Sequence, residues 1–246
     1  VALYGPGCRR WTMTERGQRH VERSAKAFVV GPSSLRWDGQ SLLFDLHEMG
    51  VPLPQRVDGQ LRVWPKALST FNAPLDDAGR HRWGPIAPCS RVEVDLQRPG
   101  LRWQGDAYLD SNEGDEPIDR PFSEWDWSRS TLRDGSTAVI YDVRQKTGAD
   151  RVITQRFHPD GSSEGFDAPP RHALPRTAWH IGRTMRSDAA PRVHETLEDT
   201  PFYVRSVLRS DLFGEHVTSV HETLNVPRLV SLPVRLMLPW RMPRRA

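Results

Sequence analysis

The sequence predicts an all-β protein, and three observations carry that expectation. Twenty-one prolines and 18 glycines cut the 246 residues into short runs. Those runs are rich in Val, Leu, Trp and Tyr, which suit a pleated, half-buried surface. Turn dipeptides recur between them, at Gly31-Pro32, Asp38-Gly39, Pro99-Gly100, Asp134-Gly135 and Asp160-Gly161. Short strands punctuated in this way are the pattern of a sandwich or barrel.

Taken in order, residues 14–28, "TERGQRHVERSAKAF", hold either a short helix with a thin apolar stripe or a charged strand pair. Residues 25–49 read as two or three strands turning at Gly31-Pro32 and Asp38-Gly39. Residues 55–68, "QRVDGQLRVWPKAL", read as a hairpin about Asp58-Gly59, a dipeptide that favours a type I′ turn. Residues 90–110 give two strands around Pro99-Gly100. The acidic, Gly- and Pro-bearing stretch "NEGDEPIDRPF" has no apolar period, so a domain junction is expected near residue 118, dividing the chain into 1–118 and 119–246. Residues 128–163 then form a meander turning at Asp134-Gly135, Lys146 to Ala149 and Asp160-Gly161.

Composition narrows the function. The net charge of +3 is too small to imply a nucleic-acid partner. Its basic excess lies at the end, in "RLMLPWRMPRRA". Cys8 and Cys89 form no disulfide framework and lack metal spacing, which fits a reducing compartment. Nothing approaches about 18 consecutive apolar residues, so no membrane-spanning helix is expected. No signal peptide is visible. The chain opens on "VALYGPG" without an initiator Met, as a truncated chain would. There is no G-x-G-x-x-G, P-loop or G-x-S-x-G motif. The nine histidines have no zinc-enzyme spacing.

What remains is a set of acids beside aromatics. His81 and Trp83, two apart, share one face of a strand, and so do Tyr108 and Asp110. Trp125 and Trp127 share a face with Asp126 opposite. Glu198 and Asp199 precede "TPFY", and His221 and Glu222 stand together. Each has a plainer alternative: His81 as a half-buried strand histidine, the aromatics as packing, Asp110 to Gly114 as a turn that bonds its own backbone. The functional alternative is an aromatic pocket around one carboxylic acid. Desolvation raises the pKa of such an acid and makes it a proton donor near neutral pH. Aromatic faces stabilise nearby positive charge. An acid with aromatic faces is what protonation of an alkene requires.

Together and in order, "RRWTMTERG", "GPSSLRWDG", "GRHRWGPIAP", "LRWQGDAYLDSNEGDEP", "FSEWDWSRS", "LEDTPFYVRS", "VHETLNVPR" and "MLPWRMPRR" resemble the carotenoid 1,2-hydratases, also called hydroxyneurosporene synthases, the CrtC family. The resemblance covers the whole chain and corresponds to the C-terminal three-fifths of family members. It implies two lipocalin-like β-barrel or sandwich domains, the first incomplete at its N-terminus and carrying the active site. It also implies water addition to the terminal C1=C2 double bond of an acyclic carotenoid such as neurosporene or lycopene, giving a tertiary alcohol, with no redox cofactor and no metal. By matching motif positions, Asp110 would protonate C2. Trp83 and Tyr108 would steady the cation, and His81 would act on the attacking water or reset Asp110. A polyene substrate lives in a bilayer, so the basic, apolar C-terminus is expected to attach a cytoplasmic protein peripherally to the membrane. Two alternatives are a terpene or meroterpenoid cyclase on the same scaffold and a non-catalytic lipocalin-like isoprenoid carrier.

Overall fold

The computed structural model describes residues 1–51 and 53–245, with Arg245 described for its backbone alone. The chain is all-β, and its strands are β1 (Ala2–Gly5), β2 (Cys8–Trp11), β3 (Glu15–Arg16), β4 (Val21–Arg23), β5 (Ala27–Val30), β6 (Ser33–Trp37), β7 (Leu42–Met49), β8 (Arg56–Pro65), β9 (Ala73–Pro74), β10 (His81–Arg98), β11 (Leu101–Gly114), β12 (Phe122–Thr131), β13 (Thr137–Gln145), β14 (Arg151–Phe157), β15 (Ser163–Gly165), β16 (Arg171–Ala173), β17 (Thr184–Arg186), β18 (Arg192–Asp199), β19 (Tyr203–Leu212) and β20 (Glu215–Asn225). Two helices follow, α1 (Val226–Leu229) and α2 (Leu232–Arg241), and then β21 (Arg244–Arg245).

Two compact units are formed. The first takes Val1–Lys66, Ser90–Tyr108 and Arg235–Ala246, and the second takes Ala67–Cys89 and Leu109–Val234. The units are discontinuous in sequence, where the expectation was a single junction near residue 118. The acidic stretch 112–122 lies inside the second unit, and β10 and β11 each contribute to both.

In the first unit the sheet order is β11-β10-β8-β7-β6-β5-β4. Its core is Val57, Val63, Val92, Val94 and Leu96, with Leu42, Phe44, Leu46, Leu61 and Ala107 packed against it. The alternation of "VEVDL" on β10 supplies this face, since successive side chains point to opposite sides. The hairpin expected at Asp58-Gly59 is not formed. Gly59 lies inside β8, paired with Leu46 on one side and Leu96 on the other. It has φ +144°, and a Cβ there would meet Asp95 O at 2.4 Å and Leu96 Cα at 2.6 Å. Asp-Gly serves here as a crowded strand crossing at a register shift between Leu96 and Arg98, a use of Gly that sequence does not separate from a turn. Residues 14–28 take the strand-pair alternative, with β4 and β5 antiparallel and Val21 opposite Val30.

In the second unit the sheet order is β15-β14-β13-β12-β20-β19-β18. Both sheets have free edges in these orders, so the described strands make open sheets, not closed barrels. The inner face of the second sheet is unusually polar. Asp126 accepts hydrogen bonds from Thr223 Oγ1 and Thr184 Oγ1, both at 2.6 Å, and pairs with Arg144 at 3.2 Å. Asp142 is held by Arg171 at 2.9 Å and Arg186 at 2.8 Å. Buried carboxylates are tolerated when they are paired and hydrogen-bonded, as these are. Apolar packing is supplied by Leu132, Ala138, Ile140, Leu212 and Val217, and by Leu174, Met185 and Leu208.

Candidate active site

Trp83 and Asp110 meet. Trp83 is fully buried on β10, with Arg82 exposed between it and the buried His81. Its Nε1–H donates to Asp110 Oδ2 at 2.8 Å. Asp110 is half-buried on the outgoing strand, β11. An indole nitrogen only donates, so Oδ2 is fixed as an acceptor. The turn alternative for this segment does not hold, because β11 continues through Asp110 to Gly114.

Around this pair stands an aromatic shell. Trp83 makes edge-to-face contacts with Phe71 and Tyr141, both at 5.8 Å, and with Phe157 at 6.3 Å. Tyr141 meets Trp125 at 6.2 Å, Trp125 meets Phe122 at 5.9 Å, and Phe122 meets His81 at 4.9 Å. The Tyr141 hydroxyl lies 3.5 Å from Asn112 Oδ1. Its pKa is pushed far up, first by burial and then by the negative charges of Asp110 and Glu222. Tyr141 therefore stays a neutral hydroxyl.

His81 is tied at both nitrogens. Nδ1 lies 2.7 Å from Asp76 Oδ2, and Nε2 lies 2.9 Å from the Glu116 carbonyl. Asp76 also accepts from the backbone N–H groups of Arg80 and His81. Burial raises the Asp76 pKa, but the hydrogen bonds from the His81 ring and these two N–H groups outweigh it, and the net shift is downward. Both ring nitrogens are thus taken up by protein oxygens. The ring lies close against β11, where a Cβ on Gly114 would come within 2.7 Å of its Cδ2.

Tyr108 is half-buried two residues before Asp110 on β11, and so on the same side of that strand. The expected pair Trp125 and Trp127 shares a face with Tyr141, since Trp127 is opposite Tyr141 and Asp126 opposite Asp142. Asp199 serves the backbone, accepting from Ala178 N at 2.9 Å. Glu198 is opposite Arg205. Sequence reasoning missed Tyr141, Phe122, Phe71 and Asp76. Tyr141 sits in a run buried on both faces, "TAVIYDV", and those faces cannot be told apart without the pairing of its neighbours.

Among the described residues, no three His, Cys, Asp or Glu side chains are grouped as a metal ion would need. A groove of about 610 Å³ in the first unit is lined by Arg62, Glu93, Asp95, Arg102, Trp103 and neighbours, and includes none of the residues around Asp110. Its charged lining does not suit an apolar ligand, and the chemistry is better sought at Asp110.

The family carotenoid hydratase CrtC matches residues 1–246. The chain is 66% identical to the acyclic carotenoid 1,2-hydratase of Rubrivivax gelatinosus, over all of this chain and 61% of that protein. It is 49% identical to the protein of that name in Thiocapsa roseopersicina, over 99% of this chain and 61% of the relative. It is 34% identical to the one in Cereibacter sphaeroides, over all of this chain and 88% of the relative. The chain thus spans about three-fifths of the length of the first two. With a match running from its first residue to its last, and an acid in an aromatic shell, this chain belongs to the carotenoid hydratase family CrtC.

Proposed function

We propose that this chain carries the proton-donating site of an acyclic carotenoid 1,2-hydratase. The observation that carries the proposal is the Trp83 Nε1–Asp110 Oδ2 hydrogen bond inside the aromatic shell. Asp110 delivers a proton to C2 of a terminal C1=C2 bond, and the π pair becomes the new C–H bond. A tertiary cation forms at C1. The Trp83 and Tyr108 rings steady it, and water adds to give the 1-hydroxy product. His81, clamped between Asp76 and the Glu116 carbonyl, holds the end of β10 against β11. It is a positioning residue.

The test is to incubate the full-length protein with lycopene or neurosporene in H₂¹⁸O. Label is expected in a tertiary alcohol. Asp110→Asn keeps the shape and the Trp83 hydrogen bond but has no transferable proton, so hydration should fall by about 10²–10⁴-fold. Near-normal hydration by a folded Asp110→Asn variant removes Asp110 as the donor. A carrier would instead bind carotenoid equally well with either residue and show no label.

A peripheral membrane attachment through α2 is also part of this reading. Leu232, Leu236 and Trp240 recur every four residues along that helix and are 69%, 65% and 75% exposed. Arg235, Arg241 and Arg244 lie among and after them. An apolar stripe beside cations suits an anionic lipid surface. No helix among the described residues is long and apolar enough to cross a membrane. Vesicle binding by a variant lacking the stripe tests the attachment.

A further inference from the structure

Hydration needs a second group, one that places water and takes its proton. Both His81 ring nitrogens are already engaged, by Asp76 and the Glu116 carbonyl. The second sheet presents an alternative in one crosswise row. Tyr141 on β13 is opposite Trp127 on β12, Trp127 is opposite Glu222 on β20, and Glu222 is opposite Arg205 on β19. Directly opposite residues project to the same face, so all four stand on the face where Tyr141 meets Trp83 at 5.8 Å. Glu222 is held by Arg205, whose Nε and Nη2 reach Oε1 at 2.9 and 2.8 Å. Both contacts fall on Oε1. Two residues before Arg205 on the same strand face stands the buried Tyr203 hydroxyl, close enough to Glu222 for that carboxylate to help push the hydroxyl's pKa up after burial itself.

We propose that Glu222, fixed by Arg205, is a second catalytic carboxylate, which binds the adding water and takes its proton. The inference rests on the Asp110 reading for the formation of the cation. The balance is as follows. The Asp110 O–H bond breaks and a C2–H bond forms, leaving the cation at C1. A lone pair of the water forms the C1–O bond. One water O–H bond then breaks, and its proton goes to Glu222 Oε2. Water bonded to a tertiary cation is a strong acid, so any carboxylate within reach accepts that proton. Each turnover leaves Asp110 one proton short and Glu222 one proton long. Both carboxylates are only half-buried, and proton exchange with solvent restores them.

The experiment is carried out on the full-length protein in D₂O with lycopene. Two products are measured: tertiary alcohol, and recovered lycopene carrying deuterium at C2. In Glu222→Gln the cation still forms but is not captured, and it returns to alkene by losing the original C2 hydrogen to solvent, which leaves deuterium at C2. Alcohol should fall by about 10²–10⁴-fold, while deuterium uptake into recovered lycopene persists within a few-fold. In Asp110→Asn both signals should vanish. Normal alcohol formation by Glu222→Gln overturns the proposal, and so does equal loss of alcohol and deuterium uptake in a folded variant. Normal hydration by Asp110→Asn overturns the earlier reading instead, so the two failures are distinct. Should Glu222→Gln fail to fold, Glu222→Asp decides. Lowered alcohol with retained deuterium uptake supports the water base, and unchanged alcohol rejects it.

Discussion

Trp83 has one polar hydrogen and gives it to Asp110. That makes the tryptophan both an aromatic wall and the device that aims the carboxyl group, and the two roles separate by substitution. Trp83→Phe keeps an aromatic ring but removes the N–H that holds Asp110 Oδ2. Hydration should fall by roughly 10²-fold, the scale of a small misplacement of a reacting group, with a smaller loss of stability than Trp83→Ala. Trp83→Ala also empties a fully buried site and should cost about 3–5 kcal/mol of stability. Equal activity of Trp83→Phe and the parent, measured on folded protein, would show that the indole N–H aims nothing. This pair was legible in the sequence, because period-two spacing places His81 with Trp83 and Tyr108 with Asp110 without any knowledge of the sheet. The partners that close the site were not. Asp76 is a loop residue brought to His81 by the chain's path, and the Glu222–Arg205 pair depends on strand register, which no single strand contains.

At the scale of elements, the strands themselves were foreseeable and their pairing was not. Asp58-Gly59 shows the reason. The two flanks of this dipeptide pair with β7 and β10, not with each other, and only the far sequences of those strands decide that. The charged stretch 14–28 has too thin an apolar stripe to hold a helix and resolves into short strands. Helix α2 gives this scale its prediction. Replacing Leu236 and Trp240 by Glu removes two exposed apolar side chains from the stripe and adds negative charge, without touching the buried Val234. Binding to vesicles containing phosphatidylglycerol should drop at least tenfold. Binding of the parent should weaken as salt rises, because the cationic part is screened. Flotation assays showing equal binding by both proteins would make α2 an ordinary exposed end.

Over the molecule as a whole, the second sheet divides its labour between faces. One carries the aromatics with Glu222, and the other is filled by hydroxyls and ion pairs around Asp126 and Asp142. His221 sits fully buried on the second face. Its Nε2 donates to the Thr184 carbonyl at 2.8 Å, and Nδ1 has no hydrogen-bond partner among the described residues. Burial pushes its pKa down, and the charge of Asp126 restores only part of that. The sign follows from linkage. The unfolded chain binds a proton at this histidine as pH falls through about 6.5, while the folded chain still refuses it. Stability contributed by neutral His221 is therefore present above that value and is lost as pH falls toward the lower folded pKa. Denaturant midpoints should decline below about pH 6.5, and His221→Gln should flatten that limb. An unchanged pH slope in the variant would assign it to other groups.

The row from Tyr141 to Arg205 has a stereochemical consequence. Tyr141 and Glu222 are two strand spacings apart, roughly 9–10 Å between backbones. The proton donor Asp110 stands on β11 and the proposed water base Glu222 on β20, in different sheets, so on this mechanism they address the double bond from separate directions. In D₂O the new C2 centre carries one hydrogen and one deuterium, so it is chiral. A methyl group labelled on one side of the alkene makes C1 chiral as well. The protein should deliver one relative configuration of these two centres, that of addition from opposite faces, whereas a single acid returning its own proton's place to water would deliver the same-face product.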